Sequence, residues 1–377
     1  MTEPSSAEPG KPRGSRVRSF LTRLVVSLLI GGAMLYLAFE NIKWERVSNE
    51  FRTAEWKWLV PYFLAMVVQH YFRAARWSHL LAPIVKVPFS RILPIASVGF
   101  LAIVALPLRM GELVRPYLIA DPPRVRMSHG LGTMAVERVF DGLVLSLMCF
   151  LVVAEAQRRG APVPDLILVS GWVAFGLFLG VLVALIMALW KKDQAVTLCR
   201  NLFSIISPKL GDKLAGVAEG IVDGFKVLPN PKPLLSFLFG TLSYWFLNGI
   251  AVWILSFSFG LDLALWEGIG VMVCVGIGIM VPAGPGFIGN FELFASKALL
   301  MYVSADKVKD KGIAYILSFH ATNAMWYAVT GAIAMLSPEV TFKKVWRATS
   351  VDSEEQPGKD KDTTGDTGTA SDPKEKQ

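Results

Sequence analysis

The chain is poor in the residues that carry most enzyme chemistry. Its 3 cysteines, Cys149, Cys199 and Cys274, are far apart and two lie in apolar runs, so no spacing suggests a disulfide or a metal. Its 4 histidines are likewise scattered. The sequence contains no Gly-Lys-Ser/Thr phosphate loop, no nucleophile elbow and no metal-ligand cluster, and no loop long enough for a soluble catalytic domain. No cofactor and no metal is expected. Charge is scarce as well. Of 377 residues 18% are charged and 53% are hydrophobic, which excludes the soluble globular class and indicates a polytopic membrane protein. The net charge of +8 does not point to nucleic acid, because lysines and arginines fall mostly between hydrophobic segments, where they act as topology signals.

What is present is a series of apolar runs. A bilayer core needs about 20 apolar residues per helix. Residues 21–39, 58–72, 131–154, 166–190, 234–259 and 314–336 meet or approach that requirement. The first run lacks a small-residue cleavage site before "ENIKWE" and is expected to remain as a helix. Residues 1–19 form a basic tail and residues 351–377 a polar tail, both expected to be disordered, flanking a membrane domain over 20–340. Within that domain, 191–232 has apolar residues at helical spacing among lysines and reads as a cytoplasmic amphipathic connection.

Two further apolar stretches are interrupted. One, 92–120, is broken by "LPLRMGE", and the other, 267–303, by "VPAGPGFIGNFE". Basic residues before the first run, in 73–91, in 191–232 and after 336 place those segments inside. Parity then requires each interrupted stretch to enter and leave on one side, although Arg158 and Arg159 fall in a loop assigned outside. The expected fold is an all-α polytopic membrane protein with about six full transmembrane helices and two re-entrant broken-helix hairpins of opposite entry side. Broken segments in corresponding halves point to a transporter's midplane site.

The interrupted stretches also hold the charges. Arg109, Glu112 and Arg115 lie in the first, and Glu137, Arg138 and Asp141 follow in "AVERVFDGLVL". Glu137 and Asp141 are spaced i,i+4 and share a helix face. Three positive and three negative charges can close an ion-pair network. It either fastens the hairpin to the next helix or offers an arginine to an anionic lipid phosphate, which suits guanidinium geometry. Glu112, Glu137 and Asp141 are candidate proton carriers by their expected depth. In the second stretch Pro282, Pro285, Gly284, Gly286 and Gly289 break the backbone, and Asn290 and Glu292 begin the returning arm. Arg73 and Arg76 in "RAARW" are read as interfacial anchors or headgroup contacts. Tyr244, Asn248, His320 and Asn323 are read as interhelix polar contacts.

"LPLRMGELVRPYLI", "ERVFDGLVL" and "PAGPGFIGNFE", preceded by "RAARW", together resemble the lysylphosphatidylglycerol synthase transmembrane-region family, also called flippase-like integral membrane proteins. The resemblance covers about residues 20–340. It implies a role for Arg109, Gly111, Glu112, Arg115, Glu137, Arg138, Asp141, Pro282, Pro285, Gly286 and Glu292. In one member type this membrane domain is implicated in moving an aminoacylated phosphatidylglycerol across the bilayer, while a separate soluble domain attaches the amino acid. Other relatives are linked to polyprenyl-lipid sugar chemistry. The sequence matches the membrane half alone.

The expected function is translocation of an anionic or phosphate-bearing lipid. It would proceed downhill or by ion coupling in a bacterial inner membrane, with both termini cytoplasmic. The partners are membrane lipids as substrate and no nucleic acid, with a homo-oligomer or a lipid-modifying enzyme also compatible. The rival readings are a membrane-embedded transferase acting on a lipid-linked substrate and a non-transporting scaffold subunit.

Overall fold

The computed structural model describes residues 13–39, 42–106, 111–120, 125–280, 284–340 and Val345. Among these residues the chain is helical and forms no β-strand. Three helices are long and apolar enough to cross a bilayer: α6 (Met127–Arg158), α7 (Asp165–Trp190), and α10 (Pro231–Ser256) with its continuation to Phe259. The remaining expected segments are helical too. They are α1 (Arg13–Ala38), α3 (Leu59–Leu81) after the short α2 (Trp44–Thr53), and α14 (Ile313–Ala334). α1 starts within the segment read as a tail. α3 runs past the expected end at Phe72, because Arg73 and Arg76 find partners inside the protein.

Each interrupted stretch forms a helix pair. The first is α4 (Phe89–Ala105) and α5 (Val114–Ile119), and the second is α11 (Leu265–Gly278) and α12 (Asn290–Leu299). Arg109 and Pro282 lie outside the described residues. The two arms of the first pair approach so closely at Gly111 that a Cβ there would sit 2.1 Å from the Ala102 carbonyl carbon. Backbone cannot yield as a flexible side chain can. Gly111→Ala is therefore expected to destabilise the protein by about 1–3 kcal/mol. A lowered thermal midpoint in detergent is the expected readout, and an unchanged midpoint would mean the arms are not this close.

In the second pair the chain turns at Gly289, whose φ of +92° and contact with Gly31 of α1 leave no room for a side chain. Glu292 then caps α12, accepting the Gly289 N–H at 2.7 Å.

The connection between α7 and α10 folds as α8 (Lys192–Ser204) and α9 (Pro208–Asp223). A three-residue turn, α13 (Ala305–Lys307), and a π turn at Val308–Gly312 lead into α14. α3 packs along α10, α14 along α4, and α6 against α7, α9 and α11. α7 leaves Val169, Trp172, Val173 and Leu177 exposed, an apolar surface that water would not tolerate and lipid satisfies. The buried apolar residues form two clusters, one around α6, α10, α11, α12 and α14, the other around α3, α4 and α5. Phe287 and Trp326 pack against both, and the polar site lies at this junction.

Candidate functional site

α6 is the backbone of the site. Its i,i+4 spacing turns Glu137 and Asp141 to one face, and both are fully buried. α3 brings Arg76 to both carboxylates, with Nη2 2.9 Å from Glu137 Oε1 and Nη1 2.5 Å from Asp141 Oδ1. α5 brings Arg115, whose Nη2 donates to Glu137 Oε2 at 2.9 Å. Arg138 donates to Glu137 at 3.0 Å and stands 3.6 Å from Asp141. Trp245 of α10 donates its indole N–H to Asp141 at 3.0 Å.

Aromatic faces cover the guanidiniums. Arg115 lies 4.3 Å over Trp77, and Arg76 lies 4.8 Å over Tyr244. Glu112, in the turn before α5, is near enough for its charge to act on Arg138. Arg76, Arg115 and Arg138 thus balance Glu112, Glu137 and Asp141. Buried ion pairs contribute little net stability, but they are costly to break, so this network fixes how α3, α5 and α6 meet.

Arg73 stands one helical turn before Arg76 and is placed differently. It donates to the Tyr327 hydroxyl, and its guanidinium lies 3.9 Å over Phe100 and 5.3 Å over Tyr244. Among the described residues no carboxylate is within ion-pair distance of it. Its buried Nε has no hydrogen-bond partner. Arg73 faces a cavity of about 90 Å³. Arg138 and Asp141 border this cavity on one side. On another side stand Gly286 of the second hairpin, with Asn248 of α10, and His320 and Asn323 of α14.

Of the residues singled out in the sequence, Arg73, Arg138, Asp141 and Gly286 line the cavity. Arg76, Arg115 and Glu137 are buried beneath it in the ion-pair network. Arg76 is 1% exposed and is enclosed by protein. Pro285 opens a short turn, and Asn290 donates to the Gly278 carbonyl at 3.2 Å, joining the two arms of the second hairpin. Glu292 points back to its own helix cap and to His320. Tyr244, Asn248, His320 and Asn323, read as interhelix contacts, line the cavity, as do Phe100 and Tyr327. A signal for them exists in the sequence: His320, Asn323, Ala324 and Tyr327 recur at i, i+3, i+4 and i+7, which makes one helix face.

A helical bundle with lipid-compatible outer surfaces, an internal charge network and a cavity bordered by charged and polar side chains is that of a multi-pass membrane protein built around an interior site. Residues 24–331 match the family described as Lysylphosphatidylglycerol synthase TM region, and the chain belongs to that family. A UPF0104 membrane protein of Methanocaldococcus jannaschii is 26% identical over 170 residues, 44% of this chain and 64% of the relative. The match thus spans less than two thirds of that relative's length. No solved structure matches the chain.

Proposed function

We propose that this protein moves an anionic or phosphate-bearing lipid between leaflets, with the headgroup passing through the cavity at Arg73 while the tails stay in the bilayer. One observation carries this reading. Three arginines of the site are neutralised by carboxylates, and among the described residues that line the cavity Arg73 is the arginine that presents its charge there without one. A phosphate is the natural complement, since guanidinium donates to it with matched geometry.

In this scheme six helices span the membrane and the pairs α4–α5 and α11–α12 are re-entrant from opposite sides. Both termini face the cytoplasm, and the membrane is the bacterial inner membrane. Membership of a family named for a lipid-modifying enzyme's membrane region agrees with a lipid substrate.

A leaflet-protection assay in proteoliposomes tests the proposal, using fluorescent phosphatidylglycerol, phosphatidylcholine and a polyprenyl phosphate analogue. The wild-type protein is expected to expose the inner-leaflet anionic lipid to an impermeant quencher. No movement of any lipid, combined with product formation by purified protein in detergent, would contradict it and support a transferase.

A further inference from the structure

The second hairpin holds an arrangement that lipid binding alone does not require. His320 of α14 is 2.5 Å from Glu292 Oε1 through Nδ1, and 2.6 Å from the Gly286 carbonyl through Nε2. A carbonyl can only accept, so Nε2 carries a hydrogen. A second proton must then lie between Nδ1 and Glu292, because a bare nitrogen and a bare carboxylate would repel at that distance. The other Glu292 oxygen is occupied by the Gly289 N–H. The Phe291 ring stacks on His320 at 4.4 Å, a contact that favours a cationic ring.

The segment held this way is strained. Gly286 has φ +70° and the next residue, Phe287, φ +62°, a conformation that costs a non-glycine residue of order 1–3 kcal/mol.

We infer that Glu292 and His320 form a proton-binding site that latches the Gly284–Gly289 segment and couples proton binding to anion binding in the cavity. With the proton, imidazolium and carboxylate are neutral together and both His320 bonds stand. Without it, the pair carries one negative charge and His320 has a single N–H for two acceptors. The charge-assisted bond to Glu292 is the stronger, so the Gly286 carbonyl is released. Glu137 and Asp141, candidates from the sequence, already accept from guanidiniums or an indole, and protonation would remove those bonds.

The charged and titratable groups facing the pair across the cavity are Arg73 of α3, Arg138 and Asp141 of α6, Tyr244 of α10 and Tyr327 of α14. Lys297 of α12, Glu267 and Cys274 of α11, Arg91 of α4, and Lys309, Asp310 and Lys311 before α14 belong to elements packed on the pair but do not line the cavity. Among the described residues that line the cavity with the pair, Arg73 is the charge with no carboxylate partner. An unprotonated pair offers it a negative charge, while an anion bound at Arg73 favours the protonated pair. Proton and anionic headgroup bind together, and the coupling is reciprocal. The coupling to transport rests on the function proposed above, whereas the proton site itself does not.

Two measurements on the full-length protein separate these levels. In nanodiscs without added ligand, ¹⁵N-histidine spectra are followed over pH 5–8, where imidazoles titrate, with the His320 signal assigned by its loss in His320→Gln. Wild type is expected to gain the second N–H on acidification, and Glu292→Gln, which keeps the helix cap, to need a markedly lower pH. One N–H throughout, or identical titration in Glu292→Gln, would overturn the proton site.

Short-chain phosphatidylglycerol is then added to weakly buffered protein in detergent. Wild type is expected to take up protons on binding and to bind 5–150-fold tighter at pH 5 than at pH 8. Glu292→Gln is expected to do neither. Should Glu292→Gln fail to fold, His320→Gln serves the same purpose. Equal uptake in the variant would overturn the coupling. Absence of lipid binding would overturn the coupling and the proposed function, while the histidine spectra still decide the proton site.

Discussion

Glu137→Gln is expected to destabilise the protein by about 3–5 kcal/mol, the effect of removing one partner from a buried ion pair. The glutamate accepts from three guanidiniums, Arg76 at 2.9 Å, Arg138 at 3.0 Å and Arg115 at 2.9 and 3.3 Å, with no exposed surface. Glutamine has the same shape but no charge, and its amide nitrogen would face donors. Two buried arginines, Arg76 and Arg115, and the half-buried Arg138 would then share Asp141 and Glu112. In detergent the thermal midpoint should fall by on the order of 10 °C, or the variant should fail to yield monodisperse protein. Adding Arg115→Met should recover part of the loss, because an apolar side chain there no longer needs the missing charge. An unchanged midpoint for Glu137→Gln would mean that the network does not hold α3, α5 and α6 together.

The second large effect concerns binding, with the fold intact. Arg73→Ala is expected to weaken short-chain phosphatidylglycerol binding by roughly 10- to 150-fold, equivalent to losing about 1.5–3 kcal/mol of hydrogen bonding to a charged group. Its stability should change little. Among the described residues Arg73 has no carboxylate partner to strand, and its removal relieves a buried, unsatisfied Nε. Arg73→Lys should recover only part of the affinity, since a point charge replaces a planar fork. Titration of the lipid into both variants, with the thermal midpoint measured alongside, checks the pair of expectations. A large fall in stability for Arg73→Ala would move Arg73 from the binding role into the structural network.

The contrast between Arg73 and Arg76 shows what the sequence can reveal. The two helix pairs were legible, because proline, glycine and charge interrupt otherwise apolar runs. The shared face of Glu137 and Asp141 was legible from local spacing alone. The division of labour in "RAARW" was not. It follows an apolar run and reads as an interfacial anchor, yet α3 continues to Leu81, and Arg76 meets acids 61 and 65 positions away in the chain. No periodicity carries information across that separation. Glu292 is a similar case. Its place at the start of α12 was readable, and its cap follows from it, but the link to His320 spans 28 positions and depends on how α12 meets α14. The stripe from His320 to Tyr327 was visible as a helix face. Only packing shows that it faces a cavity rather than a neighbouring helix.

The central claim is that an anionic headgroup crosses the membrane past Arg73. Its most direct test compares wild type and Arg73→Ala in proteoliposomes, with fluorescent phosphatidylglycerol in both leaflets and an impermeant quencher outside. Wild type should lose the protection of the inner leaflet, and Arg73→Ala, folded and reconstituted equally, should keep it. Equal loss in both proteins would contradict the account by showing that lipid moves by a path that does not use this cavity.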